Sequence, residues 1–144
     1  MSQADSVIGL EFTDLHLDGD PSTDAYDIML RVVATFDIHI DGSVFFSEEE
    51  FPTVELAVDL GYWLKHGDAN EFRYESLEYE EILVWFKPEA EGWRVGSDLR
   101  ERPSDRVFTL EEVREEAASY IDRVRREVKA TLDVDVTPAF RLRH

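Results

Sequence analysis

From Asp27 to Asp41 the chain alternates cleanly, with Leu30, Val32, Ala34, Phe36, Ile38 and Ile40 in one phase and Arg31, Val33, Thr35, Asp37 and His39 in the other. Side chains two apart share a face of a strand, so this pattern predicts a long strand with one face on a core. It ends at Asp41-Gly42, a pair that accepts positive φ at both positions and so suits a two-residue hairpin. Ser43 to Ser47 then returns as the partner strand. A chain containing this hairpin must build an antiparallel sheet and cover one side of it.

The rest of the pattern supplies the cover. Pro52 precedes Val54, Ala57, Val58, Leu60, Gly61 and Leu64 at helical spacing, and Gly67 follows Lys65 and His66 as a stop. Thr109 and Glu112 spell a capping box, and Leu110, Val113, Ala117, Ile121, Val124, Val128 and Leu132 recur at steps of three and four, predicting a long amphipathic helix. Before the first hairpin, Val7 to Asp18 reads as a strand with a bulge near Thr13, and Gly19 to Thr23 as a turn containing Pro21. Between the helices, Glu71 to Ser76, Ile82 to Lys87 and Trp93 to Leu99 read as strands, the last two joined by a five-residue loop, Pro88 to Gly92.

The expected order is βββ-α-βββ-α. Clustered strands joined by short connections imply an α+β fold, with an antiparallel sheet of about six strands and two helices packed on one face. No linker interrupts residues 1–133, which are expected to form a single domain, with 134–144 as a loose C-terminal tail. At 144 residues and 43% hydrophobic content, one core suffices to hold the chain together.

With no cysteine, thiolate metal sites, thiol nucleophiles and disulfides are excluded, and a reducing cytoplasm is the expected location. Met1 to Asp5 carry no leader pattern, and no apolar run is long enough for a membrane span. The net charge of -18 repels nucleic acid and anionic membranes and attracts basic proteins. Only Lys65, Lys87 and Lys129 are lysines among the basic residues, so a GC-rich genome or adaptation to salt accounts for the acidity equally well. No feature of the sequence speaks to an oligomeric state.

Two stretches, Asp14-Leu-His16-Leu-Asp18-Gly19 and Asp37-Ile-His39-Ile-Asp41-Gly42, repeat D-x-H-x-D-G. On strands each would align two carboxylates around an imidazole, a trio able to hold a divalent metal or orient a base in a hydrolase. Alternation alone also generates such trios. If their strands pair antiparallel, the two histidines are expected about ten residues apart, roughly 33 Å along the ladder. Asp18, Asp20, Ser22 and Asp24 start like a calcium loop, but Thr23 and Met29 break the pattern, leaving a solvated acidic loop. Glu48-Glu49-Glu50 and the glutamates early in the last helix read as solvated faces. No nucleotide-binding or nucleophile motif occurs, and no cofactor is expected.

The segment from Phe72 to Trp93 carries the strongest sign of a binding surface. Tyr74 and Tyr79 are interleaved with Glu75, Glu78, Glu80 and Glu81, and the following strand is apolar on both faces, with Trp85 on the second. Rings that anchor beside carboxylates that steer are what a surface for a basic protein partner presents. The expected partner-binding residues are therefore Tyr74, Glu75, Glu78, Tyr79, Glu80, Glu81 and Trp85. The alternative is a central strand buried on both faces behind a solvated loop.

The stretch Ile82-Leu-Val-Trp-Phe-Lys-Pro-Glu-Ala-Glu-Gly-Trp-Arg-Val-Gly-Ser97, followed by a capped helix, resembles small acidic α+β bacterial proteins of families that include polymorphic-toxin immunity proteins. It covers the C-terminal half, and its one motif is Gly92-Trp-Arg-Val-Gly-Ser97. The resemblance implies a non-enzymatic domain that blocks a cognate toxin through an acidic surface.

Overall fold

A computed structural model describes residues 8–20, 22–67 and 70–143. The leader reading of Met1 to Asp5, the strand start at Val7, the turn residue Pro21 and the final His144 lie outside them. Three strands, β1 (Ile8–Leu17), β2 (Val32–Ile40) and β3 (Ser43–Pro52), form one antiparallel sheet in that order. A second antiparallel sheet contains β4 (Phe72–Arg73), β5 (Trp85–Glu89) and β6 (Gly92–Gly96). Four helices complete the fold: α1 (Ala25–Arg31), α2 (Thr53–His66), α3 (Leu110–Leu132) and α4 (Thr137–Phe140). The α+β class stands, while the single six-stranded sheet is replaced by two sheets of three strands and the two helices by four.

The β2–β3 hairpin forms as its sequence dictates. Asp41 and Gly42 have φ of 52° and 84°, and Ile40 pairs with Ser43. The bulge in β1 falls between Thr13 and His16, with Asp14 at φ 56°. In contrast, β2 begins at Val32 and not at Asp27. Asp24 accepts hydrogen bonds from the amides of Tyr26 and Asp27 at 3.0 and 3.1 Å, starting α1 where the apolar alternation suggested a strand. Ser22 donates to Asp27 at 2.9 Å, so two residues of the stretch read as a solvated acidic loop serve this cap.

β3 runs past Ser47 to Pro52 through a bulge of its own. Phe36 pairs with Glu48 and Ala34 with Phe51, so Glu49 and Glu50 together face the single residue Thr35, and Glu50 takes φ 51°. The three glutamates are thus part of a strand. The second hairpin is tighter than expected: Pro88 pairs with Trp93 and Glu89 with Gly92 across a two-residue turn, with Gly92 at φ 147°.

A single apolar core joins the two sheets. Phe36 stacks on Phe51 at 4.4 Å, Phe51 meets Tyr74 at 5.4 Å, and Trp63 of α2 packs against Phe72, Phe86 and Trp93 at 5.6 to 6.1 Å. α3 carries the expected capping box and buries Val113, Ala117, Tyr120, Val124 and Val128. The Tyr120 hydroxyl donates to the Thr53 carbonyl at 2.9 Å, fixing α3 to the first turn of α2. Glu116 of α3 accepts from the Leu10 amide and from Arg123, both at 2.9 Å. Burial raises the Glu116 carboxyl pKa, and those two donors oppose the rise.

The supposed tail is folded. Val136 and Ala139 are buried, the Phe140 ring lies beside Gly61 of α2, and the Arg125 guanidinium sits 4.0 Å above that ring. Short-range composition suggested a loose end, whereas contacts with a helix some 80 residues earlier order it. No helix among the described residues is long and apolar enough to cross a membrane.

Candidate functional site

After Arg73 the chain leaves β4 and forms no regular structure until Trp85. Buried Glu55 of α2 dictates this path. One Glu55 oxygen accepts from the Tyr74 and Ser76 hydroxyls, both at 2.6 Å, and the other from the Leu77 amide at 2.9 Å. A carboxylate taken from water needs such donors, and bonds to an ionised group are the stronger class. The predicted strand Glu71 to Ser76 is cut short because residues 74–77 turn to meet this carboxylate. At the far end, Asp98 donates its amide to the Ile82 carbonyl at 2.8 Å and accepts from the Ile82 amide at 3.3 Å.

Residues 75–81 are therefore a loop fixed at both ends. Glu75, Glu78, Glu80 and Glu81 are exposed, and between them Leu77 is 66% exposed. Tyr79 is partly buried against the core. Its phenol pKa is raised first by burial and then by the carboxylates of Glu48, Glu78 and Glu50. β3 thus brings two glutamates, the paired Glu48 and the bulged Glu50, towards the ring that the loop carries, and one acidic face forms from two elements. Glu50 also meets His16 Nε2 at 3.1 Å, while His16 Nδ1 bonds the Asp14 carbonyl at 2.6 Å. The His16 pKa is raised, chiefly by that backbone bond and further by Glu50.

The structure keeps Glu75, Glu78, Tyr79, Glu80 and Glu81 together and separates the other two expected residues. Tyr74 is fully buried, its hydroxyl committed to Glu55, and burial followed by the Glu55 charge raises its pKa well above the usual phenol value. It is the root of the loop and not an anchor offered to a partner. Trp85 lies on β5, the central strand of its sheet, packed over Gly96 with the Lys87 ammonium 4.3 Å above its ring. The strand apolar on both faces is therefore central. Sequence reasoning passed over Glu55, Leu77 and the part played by Glu48 and Glu50. The available signal was Glu55 itself, an acid amid Val54, Leu56, Ala57 and Val58.

A second acid, Asp59, follows one turn later on α2 and is 6% exposed. Its Oδ1 accepts from Arg143 Nη1 at 2.6 Å, while its buried Oδ2 has no hydrogen-bond partner among the described residues. Burial raises the Asp59 pKa to about 6 against the opposing pull of Arg143, and Glu55 adds to the rise. The Glu75 backbone also opposes the rise.

The two Asp-His-Asp trios do not assemble. His39 pairs with Gly9 and His16 with Val33, an offset of six residues on β2, or roughly 20 Å. That corrects the ten-residue separation, which ignored the helix and bulge between the strands. Asp37 meets His39 at 3.7 Å, and Asp41 is paired with Arg106 at 3.1 Å. Among the described residues no group of three or more histidines or acids has the geometry to hold a metal.

Residues 8–130 match the model of a family described as Domain of unknown function (DUF7878). The chain belongs to the DUF7878 family. No curated protein and no solved structure matches it. The DUF7878 region contains the acidic loop, Glu55 and Asp59, whereas α4 and Arg143 lie beyond it.

Proposed function

We propose that this DUF7878 protein is a non-enzymatic binding domain that takes a basic protein partner on the loop 75–81, as an immunity or inhibitor protein does. The observation that carries this reading is the Glu55 clamp. It holds from beneath a loop that presents Leu77 among four exposed glutamates. A loop ordered before binding loses little conformational entropy on association, so its contacts convert more fully into affinity. Glutamates on the loop and the β3 bulge steer a basic surface inward, and Leu77 and the exposed part of Tyr79 are the apolar contacts. Tyr74 and Trp85 have no part in the contact. The proposed location is the cytoplasm, the proposed partner a basic protein such as a nuclease toxin.

The test is affinity capture from the native host with the wild-type chain and with Glu75, Glu78, Glu80 and Glu81 all changed to Gln. Basic proteins held by the wild type and lost from the quadruple variant are the expected result. Their association rate should fall steeply as salt rises, because screening acts on exposed charges. Retention of the same proteins by both forms, or binding indifferent to salt, would sink the proposal.

A further inference from the structure

Asp59 poses a problem that residues 8–130 do not solve. It is a buried carboxylate, and among the described residues the side chain that pairs with it as a cation is Arg143, outside the family region. Burying such a charge without a cation is strongly unfavourable. The manner of pairing is informative. Arg143 places Nη1 2.6 Å from Asp59 Oδ1 and its guanidinium carbon 4.3 Å from the centre of the Tyr62 ring. Tyr62 in turn meets the His66 ring at 4.6 Å.

A carboxylate at the base and an aromatic face at the side are the two contacts a guanidinium favours. Its planar fork suits the oxygens and its weakly hydrated face suits the ring. Arg143 does not fill the place completely. Its side chain stays 45% exposed, and a cleft of about 270 Å³ remains beside it, with Trp63, Glu71, Phe72 and a second cation, Arg73, among its walls. Tyr62 is itself 37% exposed, so the ring is accessible from outside.

We propose that the cleft between Asp59 and Tyr62 is an arginine-binding site, occupied from within the chain by Arg143, for which an arginine of another protein competes. A lysine fits less well, since its ammonium is a compact, strongly hydrated point charge without a face to lay on Tyr62. The site adjoins the start of the acidic loop, whose Glu75 backbone lies near Asp59, but it uses none of the loop's side chains and stands whether or not that loop binds a partner.

The experiment titrates N-acetyl-arginine amide, with N-acetyl-lysine amide as control, into the wild-type chain, Arg143→Gln, and Arg143→Gln combined with Asp59→Asn. The readout is the ring resonances of Tyr62 and His66. Removing the resident competitor should tighten binding of the arginine compound about tenfold, by mass action. Asp59→Asn should abolish that gain, and the lysine compound should bind more weakly throughout. A folded Arg143→Gln that binds no tighter than wild type, or binding that survives Asp59→Asn, overturns the proposal. Should Arg143→Gln not fold, the wild type decides: at high arginine compound the Arg143 Nε resonance should move toward its free position. A resonance that stays in place overturns the proposal equally.

Discussion

Glu55 and Asp59 stand one turn apart on α2, both buried, and the chain satisfies them by different means. Glu55 meets three neutral donors, all from the segment 74–77, and holds a loop in place in return. Asp59 meets one cation from the far end of the chain and keeps one oxygen without a hydrogen-bond partner among the described residues. Neutral donors arranged around a carboxylate make a joint that needs no second charge to hold it. A single ion pair to a half-exposed arginine makes a joint that depends on pH and on competitors. One helix thus carries a fixed attachment for the acidic loop and a conditional one for the C-terminal segment.

The sharpest way to break this comparison is Glu55→Ala. It strands the Tyr74 and Ser76 hydroxyls and the Leu77 amide together, and on the order of 3–5 kcal/mol of stability should be lost in urea unfolding. Hydrogen exchange at Leu77 should accelerate with it. Next comes Arg143→Ala, expected to cost about 2 kcal/mol near pH 7 because it leaves Asp59 buried without its cation. That cost should shrink at pH 5, where the Asp59 carboxyl is mostly neutral. A loss equal at both values would contradict the conditional joint.

The third is Asp59→Asn followed across pH. The Asp59 carboxyl pKa is about 6 in the folded chain against 3.8 for an ordinary aspartate, so folding takes up a proton between those values. This contribution to wild-type stability is present below the lower value and lost as pH rises through the upper one. Relative to Asp59→Asn, the wild type should therefore lose on the order of 2 kcal/mol between about pH 4 and pH 7. The smallest effect is Leu77→Ala, which should change stability by no more than about 0.5 kcal/mol, since the clamp uses only the backbone amide at that position. Its effect should appear in capture of a basic partner.

What the sequence discloses follows the range of the interactions. The Asp41-Gly42 turn, the β2 alternation from Val32 onward and the Thr109–Glu112 box are set by neighbours within a few residues, and each is found as expected. α1 was hidden because Asp24 caps a helix whose apolar residues also fit the alternation of the strand that follows. The loop was hidden for a different reason: the group that shapes residues 74–77 is Glu55, about twenty positions earlier. Arg143 reaches Asp59 across 84 positions, a relation no local pattern encodes. The glutamates expected at the candidate site are exposed as read, whereas Tyr74 turned inward because its hydroxyl had a buried acceptor waiting.

The bond from the Leu10 amide to Glu116 has a meaning that belongs to crowded solutions. β1 is the outermost strand of its sheet, and an amide facing outward there is a foothold to which a strand of another molecule can add. Glu116 occupies that foothold with a carboxylate, and Arg123 holds the carboxylate in place while also reaching Glu11 at 3.4 Å. A side chain on α3 thus denies recruitment along β1, and Glu116→Ala should reveal what it prevents, as self-association that grows with protein concentration.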